Sequence, residues 1–192
     1  EAEARFAVTC RPVTTPMDHA ECVAALREHD LILPTLGDAF RAPAFAEVPE
    51  PRAKLLANFG VGYNHIDVDA ARATGLEVTN TPGAVTDATA DIALTLILMT
   101  ARRAGEGERM LRAGRWTGWH PTQMLGMHVS GRTIAIIGMG RIGQAIARRC
   151  HFGFGCTILY ANRSPKSVDF PATQLPMAEA LARADIVVLP TP

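Results

Sequence analysis

Residues Gly138 to Gly143 read Gly-Met-Gly-Arg-Ile-Gly, directly after the apolar run Thr133-Ile-Ala-Ile-Ile137 and directly before Gln144-Ala-Ile-Ala-Arg-Arg149. A strand, a glycine turn and a helix in that order form a cradle for a dinucleotide pyrophosphate. Gly138 permits the tight turn, Gly140 lets the backbone approach the pyrophosphate, and Gly143 lets the helix pack closely on the strand. The pyrophosphate then lies at a helix N-terminus, where unpaired N–H groups and the macrodipole favour negative charge. The alternative is a helix packed on a strand through glycines that bind nothing; the flanking pattern favours the dinucleotide.

The second chemical signal lies about one strand further on. A turn of this kind that takes NAD usually carries Asp or Glu roughly 20 residues later, bonding the ribose 2′-hydroxyl. Here that place, just after Tyr160, is Ala161, followed by Asn162, Arg163 and Ser164. No carboxylate is present to repel a 2′-phosphate, and Arg163 can pair with one, with Lys166 nearby. A charge-assisted bond contributes about 1.5–3 kcal/mol, roughly a tenfold to hundredfold preference. The sequence therefore predicts NADP(H) as the preferred cofactor, with NAD(H) possible. A plain polar turn after a strand is the alternative.

These residues need a scaffold of alternating strands and helices. The sequence predicts strands over Phe6–Cys10, Leu31–Leu33, Lys54–Phe59 and Leu76–Thr79, with helices over Ala20–His29 and Asp67–Thr74. That βα alternation implies a mostly parallel sheet. Asn80-Thr-Pro-Gly83 is a turn signal, and Asp87 to Arg103 is the longest predicted helix. Its middle, Ile92 to Met99, is apolar nearly all round. Such a helix is buried on every side, either by a second subunit or as the central helix of one domain. Residues 105–129 read as a polar, aromatic stretch around Arg115-Trp-Thr-Gly-Trp119. After the glycine turn come strands at Thr157–Tyr160 and Asp185–Leu189 and a helix at Met177–Ala184.

Composition narrows the function classes. The 192 residues are 48% hydrophobic and 20% charged, which is ordinary for a globular protein. Nineteen basic residues balance nineteen acidic ones, so no nucleic-acid or membrane surface is indicated. Cys10, Cys22, Cys150 and Cys156 form no metal-ligand spacing and read as reduced thiols of a cytoplasmic protein. The opening Glu-Ala-Glu-Ala-Arg5 is too acidic for a secretory signal.

The chain resembles the D-isomer-specific 2-hydroxyacid dehydrogenases, most closely their glyoxylate/hydroxypyruvate reductase branch. The matching stretches are Asn58-Phe-Gly-Val-Gly-Tyr-Asn-His-Ile-Asp67, Asn80-Thr-Pro-Gly-Ala-Val-Thr-Asp-Ala-Thr-Ala-Asp91, Arg115-Trp-Thr-Gly-Trp119, Gly131 to Arg149 and Tyr160-Ala-Asn-Arg-Ser-Pro165. The resemblance implies an α/β protein of two doubly wound parallel-sheet domains. Residues 1–80 match part of a flavodoxin-like substrate domain, and 81–192 match a Rossmann nucleotide domain; both read as incomplete. It implies reduction of glyoxylate or hydroxypyruvate to the D-2-hydroxyacid by a homodimer formed through the nucleotide domain. A non-catalytic dinucleotide-sensing or corepressor-like dimer remains the alternative.

The resemblance also assigns roles. Val61 and Gly62 match the loop whose backbone N–H groups hold the substrate carboxylate, against an ordinary strand-ending turn. Arg141 and Ile142 match pyrophosphate contacts, Ile142 through backbone and packing only. Arg141 is either a phosphate partner or a solvated helix-start residue. Thr89 matches a position near the nicotinamide, or is simply a first-turn helix residue. Trp116 and Trp119 match a loop reaching the partner subunit's active site, or pack within their own loop. His65, which follows the substrate loop, is expected to cap or pack at a helix start. The family's catalytic arginine, glutamate and histidine correspond to positions after Pro192. No catalytic residue and no metal site is therefore expected here, and the chain reads as a fragment of a longer reductase that is itself catalytically incomplete.

Overall fold

Short apolar runs separated by helices fold into two distinct all-parallel sheets. The computed structural model describes residues 2–191, which fall into two units, Glu1–Pro82 and Gly83–Pro192.

The first unit runs α1 (His19–Glu28), β1 (Leu31–Ile32), α2 (Ala42–Glu47), β2 (Leu55–Ala57), α3 (Val68–Ala73) and β3 (Glu77–Thr79). Asp18 and Glu21 start α1 with reciprocal side-chain-to-backbone bonds of 2.9 Å, a capping box. The sheet order is β1-β2-β3, with Leu55 opposite both Leu31 and Glu77. Leu26, Phe40, Phe45, Leu56 and Leu76 form the fully buried centre. The predicted strand Phe6–Cys10 does not form. That segment is exposed and irregular, with Phe6 57% and Val8 48% exposed. Its alternation of side chains meets no sheet edge, and Arg11 instead ties the segment to α1 through both oxygens of Glu21.

The second unit runs α4 (Thr86–Ala101), α5 (Ala104–Arg112), β4 (Thr133–Ile137), α6 (Arg141–Phe154), β5 (Thr157–Ala161), β6 (Ala172–Gln174), α7 (Met177–Arg183) and β7 (Ile186–Val188). Its sheet order is β6-β5-β4-β7. The chain thus moves outward from β4 to β6 and returns to the other side of β4, which creates a topological switch point beside that strand. β4 is apolar from Ile134 to Ile137 because both its faces are covered. Ile134 and Ile136 pack with Ala90 and Ile97 of α4 and Ile146 and Cys150 of α6, while Ala135 and Leu159 pack against Ala180 of α7. Arg149 fastens α6 to α4, bonding Asp87 at 2.9 Å and Asp91 at 2.8 Å.

Three sequence expectations change in this unit. The α4 helix stops at Ala101, where Arg103 turns left-handed (φ 54°) and α5 begins, a helix not foreseen from the polar sequence. α4 is also not buried all round: Ile92 is 62% and Leu96 58% exposed, while Ala90, Ile97 and Ala101 sit in the core. The three-residue edge strand β6 was likewise not predicted.

Candidate functional site

In the second unit, the end of β4 builds a candidate dinucleotide site. Gly138 has φ +106°, and a Cβ there would stand 2.8 Å from Thr191 Cγ2, so both conformation and space require glycine. Thr191 follows β7, which brings the ends of β4 and β7 together at the switch point. A Cβ on Gly143 would overlap the Gly138 carbonyl and lie 3.2 Å from Ile136 Cγ2, so this glycine sets the closeness of helix and strand. Gly140 differs from both: nothing lies within 4 Å of the position its Cβ would take. It is the N-cap of α6 and supplies no capping side chain, and the first turn carries no acidic residue. The N–H groups of Arg141, Ile142 and Gly143 find no acceptor among the described residues. Unpaired donors at the positive end of a helix dipole, beneath open space, fit the pyrophosphate of a dinucleotide. Arg141 is exposed beside them, and Ile142 packs against the core.

The segment after β5 is wired to this turn. β5 extends through Ala161, whose carbonyl accepts the Gly138 N–H at 2.9 Å, so the first residue beyond the strand is Asn162 rather than Ala161. Asn162 Oδ1 accepts the Met139 N–H at 3.2 Å and its Nδ2 donates to the Ser164 carbonyl at 2.7 Å. Gln174 Nε2 holds the Asn162 carbonyl at 2.9 Å, and Tyr160 Oη accepts the Lys166 N–H at 3.2 Å. Arg163 and Lys166 are exposed, and Arg163 has no ion-pair or hydrogen-bond partner among the described residues.

A separate cluster in the first unit is the loop after β2. Asn58 is 1% exposed and is one of two buried polar residues there, with Asp38. Its Nδ2 donates to the carbonyls of Gly60 and Gly62, both at 2.9 Å. Its Oδ1 faces His65 Nε2 at 3.0 Å. The Val61 carbonyl accepts from Asn80 Nδ2 at 2.9 Å, and the Gly60 carbonyl also accepts the Thr81 N–H at 3.1 Å. All three carbonyls from 60 to 62 are therefore turned to side-chain or backbone donors. The N–H groups of Val61 and Gly62 have no acceptor among the described residues, and space above Gly62 is open. Leu36 packs on Gly60, where a Cβ would meet its Cδ2 at 2.6 Å. His65 does not cap α3; Asp67 does, accepting the Ala70 N–H at 3.0 Å, while His65 is half-buried just before it. Burial, with the Arg41 charge adding to it, lowers the His65 pKa and favours the neutral ring. Asn58 was missed in the sequence because nothing in its type or spacing marks a side chain that folds back under the following loop.

Residues 94–192 match the model of the D-isomer specific 2-hydroxyacid dehydrogenase, NAD binding domain. The chain belongs to this family. Its relatives include a glyoxylate reductase of Thermococcus onnurineus, 44% identical over 87% of this chain and 51% of that protein. A glycerate dehydrogenase of Hyphomicrobium methylovorum is 41% identical over 73% of this chain and 43% of its own length. A solved structure from Polaromonas sp. JS6 66, described as a D-isomer specific 2-hydroxyacid dehydrogenase, superposes with a TM-score of 0.90 at 36% identity, covering 100% of this chain and 60% of that one. The chain spans about half the length of the curated relatives it matches.

The remaining expected site residues of the chain are exposed. Thr89 sits in the first turn of α4. Trp116 is 53% and Trp119 80% exposed. The buried thiols are unsuited to nucleophilic work, since burial pushes Cys22 up to about 11 and Cys150 to about 12. Among the described residues no helix is long and apolar enough to cross a membrane.

Proposed function

We propose that the protein reduces glyoxylate or hydroxypyruvate to the D-2-hydroxyacid with NADPH, and that residues 1–80 serve its substrate domain and 81–192 its nucleotide domain. The observation that carries this reading is the uncapped start of α6 beneath the open face of Gly140. There Gly138, Gly140 and Gly143 shape the cradle, Arg141 and Ile142 lie along the pyrophosphate, and Thr89 stands toward the nicotinamide. The cofactor, when bound, supplies a hydride to the substrate carbonyl carbon. The residues of this chain bind and orient: the Val61 and Gly62 amides take the substrate carboxylate, and no residue among them is assigned as the proton donor. The names of the relatives, glyoxylate reductase and glycerate dehydrogenase, support the substrate class.

The NADPH preference rests on the neutral Asn162 and the unpaired, exposed Arg163, with Ser164 completing the turn. The exposed apolar face of α4, carrying Ile92, Leu96 and Met99, supports a homodimer through the nucleotide domain. The free cysteines fit a cytoplasmic location.

The test is a fluorescence titration of the chain with NADPH and NADH, followed by NADPH oxidation with glyoxylate and hydroxypyruvate in the whole protein. Binding of NADPH at least about tenfold tighter than NADH is expected. Absence of binding by both dinucleotides would refute the reading, and NADH binding as tightly as NADPH would refute the cofactor preference.

A further inference from the structure

The loop after β2 displays two free amides only because something holds its carbonyls, and the hydrogen bonds identify what does so. An Asn side chain has one donor end and one acceptor end. Two carbonyls, of Gly60 and Gly62, lie 2.9 Å from one end of Asn58, so that end must be the NH2 group. Its oxygen is thereby fixed toward His65, whose Nε2 at 3.0 Å must carry a hydrogen to donate. The ring is then a neutral Nε2–H tautomer, or doubly protonated; in both forms it donates in the same direction. A flip of the Asn58 amide would set its oxygen against two carbonyls and its NH2 against the Nε2–H. As an Nε2–H donor, His65 thus discriminates between two orientations that differ in all three hydrogen bonds of the Asn58 side chain. Burial of Asn58 raises the cost of the wrong one, because a buried polar group left facing its like has no water to turn to.

We propose that Asn58 and His65 are a positioning pair for the substrate carboxylate: His65 fixes the Asn58 amide, Asn58 turns the Gly60 and Gly62 carbonyls inward, and the Val61 and Gly62 N–H groups are left aimed outward as an anion cradle. The inference rests on the reading of those amides as the carboxylate site. Neither residue touches the ligand; both act through the loop backbone. His65 is therefore required as a hydrogen-bond donor, and not as an acid, a base or a filler of volume.

The experiment titrates the full 192-residue chain with sodium glyoxylate and follows the backbone amide resonances of Val61 and Gly62 by NMR, with sodium chloride as the control. The wild type should shift these two resonances with glyoxylate alone. His65→Leu, which keeps bulk without a donor, should bind glyoxylate roughly tenfold more weakly, and His65→Gln, which restores a donor, should recover most of the affinity. Asn58→Asp, whose side chain accepts but does not donate, should weaken binding more than His65→Leu. The His65 tautomer, read from long-range proton–nitrogen correlations in the ligand-free wild type, should be Nε2–H. Thermal unfolding of each variant separates loss of the fold from loss of the cradle. A wild type that responds while His65→Leu and His65→Gln bind alike would overturn the positioning role, as would an Nδ1–H tautomer. A wild type whose Val61 and Gly62 amides ignore glyoxylate would remove the carboxylate reading itself, and the positioning role with it.

Discussion

Asn162 stands where the turn after β5 meets the glycine turn, and replacing it with Asp gives a sharp test of the cofactor reading. The carboxylate can still accept the Met139 N–H, a bond of 3.2 Å in the native protein. It cannot donate to the Ser164 carbonyl, so the 2.7 Å bond is lost and an anion faces that oxygen. Loss of this bond costs about 1 kcal/mol and falls on both dinucleotides alike, because both must dock on the same turn. The added charge acts differently. If a 2′-phosphate docks on this turn within about 6 Å of the new carboxylate, repulsion at an effective dielectric between water and protein surface amounts to roughly 1–3 kcal/mol. The predicted result for Asn162→Asp is thus a tenfold to hundredfold loss of NADPH affinity beyond any loss for NADH, roughly 1.4 kcal/mol per factor of ten. Titration of intrinsic or cofactor fluorescence with each dinucleotide at one ionic strength measures the ratio directly. The ratio is insensitive to general damage of the turn, which cancels. Equal weakening of the two cofactors, or an unchanged ratio, would show that no 2′-phosphate lies near Asn162 and Arg163.

Other expectations follow from the same geometry. Gly140→Ala should leave stability within about 0.5 kcal/mol, since its Cβ meets nothing, yet weaken both dinucleotides. Gly143→Ala should lower stability by about 1–3 kcal/mol in urea unfolding because its Cβ overlaps the Gly138 carbonyl; the reverse ranking would contradict the roles given to the two glycines. For Asp38, burial raises the carboxyl pKa, but the Met17 and Thr35 N–H groups and the Thr35 hydroxyl outweigh it and lower the pKa overall. Its folded value is below its unfolded one, so this stabilisation is complete above about pH 4 and is lost as pH falls through the folded value. Urea midpoints should drop in that window for the wild type and drop less for Asp38→Asn; parallel declines would exclude Asp38 as the source. In the whole protein, Leu96→Asp should shift sedimentation from dimer to monomer if the exposed face of α4 is the interface, and an unchanged sedimentation coefficient would reject it.

What was legible in the sequence and what was not divides along a physical line. β4, β5 and α6 could be read directly because their residues are dictated by burial: both faces of β4 are covered, and α6 must present Ile146 and Cys150 to the core. The glycines could be read because a missing Cβ is itself the signal. α5 could not, since none of its residues is buried and Met110 and Leu111 are its only large apolar side chains. β6 is three residues long and owes its existence to pairing with β5, a property of the partner more than of Ala172–Gln174. Phe6–Cys10 shows the converse, an alternating pattern that finds no edge to join. The same division runs through the site. The amides proposed as ligand donors leave a trace in the sequence because such groups need glycine neighbours and open space, as at Gly62 and Gly140. The side chains that hold the opposite ends of those peptide groups leave none. Asn58 and Asn162 are each a single buried or half-buried amide serving carbonyls and N–H groups within a few residues of a glycine turn. Both turns therefore share one construction, in which glycine provides access and a neighbouring Asn fixes the backbone dipoles. A backbone donor site is only as well aimed as its carbonyls are held, so in this chain the asparagines, as much as the glycines, set where the N–H groups point.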